Sequence, residues 1–309
     1  NISQKIFDAI TKYNKGKILA WFKKFKKDSF DRKSFGIDAR ILKLYKNNKK
    51  ILNREQLNNY FGWKNKKIVV FFFNHFIDRN FHNGPRINFQ DSYSWTKYVL
   101  DKIKKDKSVN WILKPHPTEK FYNSKKNFNK RIEFLIKNHE NVKLFPETLN
   151  NLSLIKSADL ALTANGTVGM EYPAFGINCV YTEKATYSNL KFTNPISKMS
   201  DINHLFRNIV NYKKKPNKTN IFKSKCYMYI QKKAILSKCY LLPIDDISRS
   251  INEENFWKKC ISLQKNYNIK KELFFQMLAV QLKYKMRHTV NIKNDIIKID
   301  LKNFNDYDD

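Results

Sequence analysis

Three short stretches of this chain carry residue types whose spacing suits chemistry. The first is Trp111-Ile-Leu-Lys-Pro-His-Pro-Thr-Glu119. An apolar run passes directly into Lys114, Pro115, His116 and Pro117, and the proline on each side of the histidine restricts the local backbone. An imidazole held this way at a strand end can donate to a phosphate oxygen, a nucleobase or a leaving group. Lys114 adds a compact positive charge suited to a phosphate. The bland reading is a loop whose histidine is merely exposed. The second stretch is Ala158-Asp-Leu-Ala-Leu-Thr-Ala-Asn-Gly-Thr-Val-Gly-Met-Glu171. Its apolar run ends at Thr163, a turn of small residues follows, and a helix is expected to start near Thr167. Free N–H groups at a helix start favour an anion. Asn165, Gly166 and Thr167 can wrap a phosphate, with Gly166 permitting close approach of the backbone. Glu171, one turn beyond Thr167, can accept two hydrogen bonds from a ribose. The bland reading here is an N-cap with a first-turn glutamate. The spacing is neither a Walker loop nor GxGxxG. The third stretch is Asn74-His-Phe-Ile-Asp78, where His75 or Asp78 can serve as a general base toward an acceptor hydroxyl, or the polar strand end can simply cap its loop. His82, His139, His204 and His288 sit at no usable spacing.

The elements that must position these residues alternate. Ile68–Phe73 is a continuous β-branched and aromatic run, the pattern of a strand buried on both faces. Asp91 is placed to cap a helix carrying Trp95, Val99, Leu100 and Ile103. Further strands are expected at 109–113, 142–145, 160–163 and 178–181, with helices around 128–137 and 152–157 and a turn and helix start at 166–174. The expected fold class is α/β, a parallel Rossmann-like sheet with helical N- and C-terminal regions. In such sheets ligands sit at the carboxyl ends of the strands, which is where the first two stretches fall. Residues 1–60 read as a helical, basic lead-in, 61–215 as the Rossmann-like domain, and 216–309 as a helical region with one long helix over 262–287.

Composition narrows the classes. The formal net charge is +33 and lysine dominates it. Attraction to a polyanion and a codon bias toward Lys, Asn, Ile, Phe and Tyr weigh about equally as explanations. Aromatic content is too high for a disordered chain. Cys179, Cys226, Cys239 and Cys260 form no CxxC pair, which speaks against a structural zinc and suits a reducing cytoplasm. The longest apolar run falls well short of the about 20 residues that span a bilayer.

The two main motifs resemble the bacterial capsule and lipopolysaccharide glycosyltransferases of GT-B architecture, in particular the group that includes Kdo transferases. Those proteins carry a strand ending in Lys-Pro-His-Pro. Further on they carry an Asn/Ser-Gly/Ser-Thr-x-Gly-x-Glu segment with Gly-x-Pro before the next strand. Here the matching stretches are Lys114-Pro-His-Pro117 and Asn165-Gly-Thr-Val-Gly-Met-Glu171, and Leu52-Asn-Arg-Glu-Gln-Leu57 through Asp78 is similar to the lead-in. Tyr172-Pro173 and Gly176-Ile-Asn178 depart from the pattern. The resemblance implies that this is the donor-binding half of the enzyme. It implies a nucleotide-sugar donor, CMP- or UDP-linked, whose phosphate or base meets Lys114 and His116. The phosphate also meets Asn165, Gly166 and Thr167, and Glu171 takes the ribose. It implies a glycan or glycolipid acceptor, no cofactor and no metal. The acceptor half is expected upstream or in a reduced form, since residues 1–60 are too few to build one. The basic surface is expected to hold a cytoplasmic enzyme at an anionic inner-membrane face, without specific nucleic-acid binding. A teichoic-acid-type polyol-phosphate transferase resembles the chain at the same two places but typically carries Asp-Tyr-Ser-Ser where Thr163-Ala-Asn-Gly166 stands. A nucleic-acid-binding protein and a catalytically silent scaffold are the alternatives outside that class.

Overall fold

The computed structural model describes residues 2–31, 49–74, 88–116, 126–190, 192–212, 215–234, 253–265 and 267–286. The chain divides into two compact units, Lys23–Lys225 and Asn1–Phe22 with Cys226–Asp309. The described residues hold six strands: β1 Ile68–Phe72, β2 Asn110–Lys114, β3 Val142–Leu144, β4 Leu160–Thr163, β5 Asn178–Tyr181 and β6 Asn194–Pro195. The helices are α1 Gln4–Tyr13, α2 Lys15–Asp31, α3 Arg54–Phe61, α4 Ser92–Ile103, α5 Lys126–Asn138, α6 Leu152–Ser157, α7 Val168–Ala174, α8 Met199–Arg207, α9 Lys218–Tyr229, α10 Glu253–Lys265 and α11 Leu273–Lys283.

All six strands belong to one sheet in the order β3-β2-β1-β4-β5-β6, and every neighbouring pair is parallel. The chain winds outward from β1 to β3, then returns to place β4 against the other side of β1. This is the doubly wound order of the Rossmann fold. The period-2 alternation of side chains explains how both faces of short apolar strands are used. Val69, Phe71, Trp111, Leu113, Leu160, Leu162 and Val180 face a layer formed by Trp95, Val99, Leu100 and Ile103 of α4, Leu135 of α5, and Ile202 and Leu205 of α8. Ile68, Val70, Ile112, Ala161 and Cys179 face the opposite layer, with Leu57 of α3, Leu154 of α6 and Tyr172 of α7.

Local signals agree with this packing. The Asp91 carboxylate accepts the Ser94 N–H at 2.6 Å and so caps α4. Asp91→Ala is expected to cost about 1 kcal/mol, read as a lower urea midpoint with unchanged slope. The Leu52–Leu57 segment is the start of α3. Asn53 and Gln56 form a reciprocal capping box there, and Gly62 ends the helix at φ +66°. The amino edge of the sheet is tied by Asp159, whose carboxylate accepts the Ile68 N–H at 2.8 Å and pairs with Arg54 at 2.8 Å. Lys67 donates to the carbonyls of Ile209 and Tyr212 beyond the end of α8.

In the other unit, Ser3 caps α1 by accepting the Ile6 N–H at 3.2 Å. Ile6, Phe7 and Ile10 of α1 are buried. Thr11 Oγ1 lies 3.0 Å from Cys226 Sγ, and the Trp21 ring meets Tyr229 edge-on at 5.5 Å. The long helix expected over 262–287 is instead two helices. α10 ends at Lys265 and α11 begins at Leu273, with a short 3-10 turn at Ile269–Lys271 between them. The reason is local: the Asn268 side chain accepts the Lys270 N–H at 3.0 Å, competing with helical pairing as asparagine does. Among the described residues no helix is long and apolar enough to cross a membrane.

Candidate functional site

Parallel strands end on one edge, and the edge here is set by register. Phe72 of β1 lies opposite Lys114 of β2, Phe71 opposite Leu162 of β4, and Thr163 opposite Tyr181 of β5. The strand order reverses between β1 and β4. Loops leaving the sheet on either side of that point diverge to opposite faces and leave a crevice, the usual ligand position in an open α/β sheet. The residues after β4, from Ala164 to Thr167, stand at this point. Lys114, Pro115 and His116 leave the strand on the other side of β1.

Asn74, two residues past β1, bridges the reversal. Its Oδ1 accepts the Thr163 hydroxyl at 3.1 Å and the Ala164 N–H at 3.0 Å. Its Nδ2 donates to Asn165 Oδ1 at 2.6 Å. One side chain therefore fastens the end of β1 to the start of the β4 loop. His75 and Asp78, the candidate bases of the third stretch, lie outside the described residues, as does Pro117. Nothing in the sequence ties this asparagine at one strand end to a threonine 89 positions later.

The loop after β4 is held from within. The Gly166 N–H donates to Thr163 Oγ1 at 3.2 Å, and a Cβ at Gly166 would stand 2.8 Å from that oxygen. The absent side chain thus makes room for the Thr163 hydroxyl, and the Gly166 N–H is already engaged. The Gly166 carbonyl accepts from the Tyr187 hydroxyl at 2.6 Å and from the Gly169 N–H at 3.0 Å. A Cβ at Gly169 would meet the Tyr187 oxygen at 1.9 Å. Gly169 and Tyr187 are therefore a matched pair, which sequence spacing alone does not reveal. Thr167 stands at the N-cap position of α7 but makes no side-chain cap bond. Among the described residues its N–H and that of Val168 take no hydrogen-bond partner.

The remaining expected residues are spread across the edge. The Lys114 ammonium lies 5.0 Å over the Phe145 ring, toward β3 and so on the side of β2 away from β4. His116 is half-buried. Glu171 accounts for one helical bond, from its N–H to the Thr167 carbonyl at 3.0 Å, and is only 5% exposed. Its carboxylate lies close enough to Tyr172 and Cys179 to act on both. Burial pushes the Tyr172 hydroxyl well up from its ordinary range, and the neighbouring Glu171 charge adds to it. The Cys179 thiol is raised for the same two reasons, burial first, so it is held as an unreactive thiol. Beyond β5, Glu183 is buried and accepts the N–H groups of Asn88 at 3.4 Å and Phe89 at 3.3 Å. The Asn88 amide donates to the carbonyls of Thr182 and Ile196 at 3.2 and 3.3 Å. The carboxyl edge is therefore a stitched polar frame. Among the described residues no three His, Cys, Asp or Glu side chains gather in a way that would hold a metal ion.

No protein-family model matches the chain, and no curated protein matches its sequence. Among solved structures it is similar to the β-Kdo 2,4-transferase KpsC of Thermosulfurimonas dismutans, at 13% identity and TM-score 0.39 over 68% of this chain and 55% of that one. It is also similar to UDP-GlcNAc 2-epimerase from Neisseria meningitidis bound to UDP-GlcNAc, at 16% identity and TM-score 0.37 over 58% and 47%. A third is the wall teichoic acid polymerase TagF, at 10% identity and TM-score 0.32 over 57% and 39%. The chain spans about half the length of the first two. The α/β assignment rests on the strand order of this chain itself.

Proposed function

We propose that residues 61–215 bind the nucleotide phosphate of an activated sugar at the carboxyl edge, as the donor half of a glycosyltransferase. The observation that carries this reading is the convergence of Asn74, Asn165 and the open Thr167 and Val168 N–H groups on the point where the strand order reverses. In this reading the two N–H groups meet a phosphate oxygen. His116 donates to the departing nucleotide phosphate, and Lys114 supplies a nearby positive charge. Stabilising a leaving anion by fixed donors is a large term in such transfers. The resemblance at Lys-Pro-His-Pro and its partner motif supports a CMP- or UDP-linked sugar over a free phosphate and assigns the ribose to Glu171, which would have to turn out from its buried position to reach it. The acceptor is a cell-surface polysaccharide or lipid-linked glycan, and His75 or Asp78 deprotonates its hydroxyl.

Calorimetric titration with CMP, UDP and their sugar conjugates tests the reading. His116→Ala is expected to raise the nucleotide Kd about tenfold, the size of one charge-assisted hydrogen bond, with an unchanged unfolding midpoint. No nucleotide affinity, or wild-type affinity in His116→Ala, would overturn it. Turnover with CDP-glycerol alone would assign the chain to polyol-phosphate transfer instead. Glu171→Gln separates a ribose contact from a structural role: a ribose contact weakens nucleotide binding more than binding of inorganic diphosphate.

A further inference from the structure

Among the described residues, the unit that holds α10 and α11 carries apolar side chains that are left exposed. In α10, Trp257 is 55% and Ile261 58% exposed, and Leu263 is exposed too. At about 100° per residue, Phe256, Trp257, Cys260, Ile261 and Leu263 fall on one arc of the helix. Lys258, Lys259 and Lys265 fall on the other, where Lys258 pairs with Glu254 at 2.7 Å. The next helix, α11, is mostly apolar and ends in Lys283. Met277 of α11 is buried, while Phe274, Phe275 and Leu282 are exposed, Leu282 at 71%. Between residues 253 and 286 there are seven lysines and three glutamates.

We infer that α10 and α11 dock on an anionic lipid bilayer, with Trp257, Ile261, Phe274, Phe275 and Leu282 entering the headgroup boundary. Tryptophan, phenylalanine and leucine on one arc with lysine on the other is the make-up of helices that lie in the interface plane. Lysine stems extend the apolar face while their ammonium groups reach lipid phosphates. Charge selects the occupant. A second copy would set one chain of net charge +33 against another, which disfavours self-association. An anionic bilayer offers the complementary sign over a flat area that two exposed helices can share. The inference does not depend on the donor reading, because that reading uses no residue of α10 or α11.

Flotation of the full chain with phosphatidylcholine vesicles, with and without one third phosphatidylglycerol, tests it. Tight binding is expected only with the anionic lipid. Trp257→Ala with Ile261→Ala, and separately Phe274→Ala with Leu282→Ala, are each expected to weaken it about tenfold, the order expected when buried apolar area is lost from an interfacial helix. Nucleotide affinity and circular dichroism should stay unchanged. Lipids brominated near the headgroup should quench tryptophan emission, and Trp257→Phe should remove most of that quenching. Binding that is unchanged in both double variants would place the contact on lysines elsewhere and overturn the inference. So would an absence of vesicle binding, or a wild-type dimer that the same variants dissociate.

Discussion

Gly169→Ala is expected to lower stability by about 2 kcal/mol and nucleotide affinity by about tenfold, from one added methyl group. The new Cβ would stand 1.9 Å from the Tyr187 hydroxyl oxygen and 2.7 Å from its ring carbon Cζ. Tyr187 cannot swing aside at low cost. It is 1% exposed, its ring meets Tyr181 edge-on at 5.2 Å and Phe192 at 6.4 Å, and its hydroxyl is bonded to the Gly166 carbonyl. Either that bond breaks or α7 shifts from the sheet, and both outcomes move the Thr167 and Val168 N–H groups. A double-mutant cycle with Tyr187→Phe identifies the cause. Tyr187→Phe alone loses one hydrogen bond, about 1 kcal/mol. In the Gly169→Ala background it also removes the nearest clashing atom, so the combined loss should be well below the sum. Additive losses in urea denaturation would sink this account.

Asn74 is the second position with a large expected effect, and two substitutions there should part company. Asn74→Ala removes the acceptor of the buried Thr163 hydroxyl and the Ala164 N–H. Leaving both unpaired is expected to cost about 3 kcal/mol. Asn74→Asp keeps an oxygen for both donors, so the fold should persist with a smaller loss. The same change turns the donor to Asn165 Oδ1 into a second oxygen and puts a negative charge at the strand reversal. If an anion binds there, affinity for nucleotide should fall by about tenfold or more, and the deficit should shrink as salt is added. A folded Asn74→Asp protein that binds nucleotide as tightly as wild type would move the anion site elsewhere on the edge.

Much of the sheet is written in the sequence, because its signals are local. The runs at 160–163 and 178–181 are the strands Leu160–Thr163 and Asn178–Tyr181, and 152–157 is the helix Leu152–Ser157. Each is bounded by polar or turn residues that end the pattern abruptly. Asp91 is legible as a cap because its acceptor bond spans three positions. That the loops after β2 and β4 leave the same edge also follows from the alternation of strand and helix, since parallel strands must end together. At 262–287 even local reading failed, because apolar periodicity outweighed the side chain of Asn268.

The remaining features of the edge depend on pairs distant in the chain. Gly166 reads as a place for a phosphate to approach, yet its missing side chain is occupied by the Thr163 hydroxyl. Glu171 reads as a residue open to a ligand, yet α7 turns it inward to where its charge reaches Cys179 of β5. The ties from Asn74 to the β4 loop and from Tyr187 to Gly166 exist because strand order brings those segments together. Most strands and helices of the sheet and their parallel stacking are legible from residue order, since hydrophobic period and capping act over a few residues. Which side chains frame that edge was decided by packing across the sheet, where position in the fold outweighs distance along the chain.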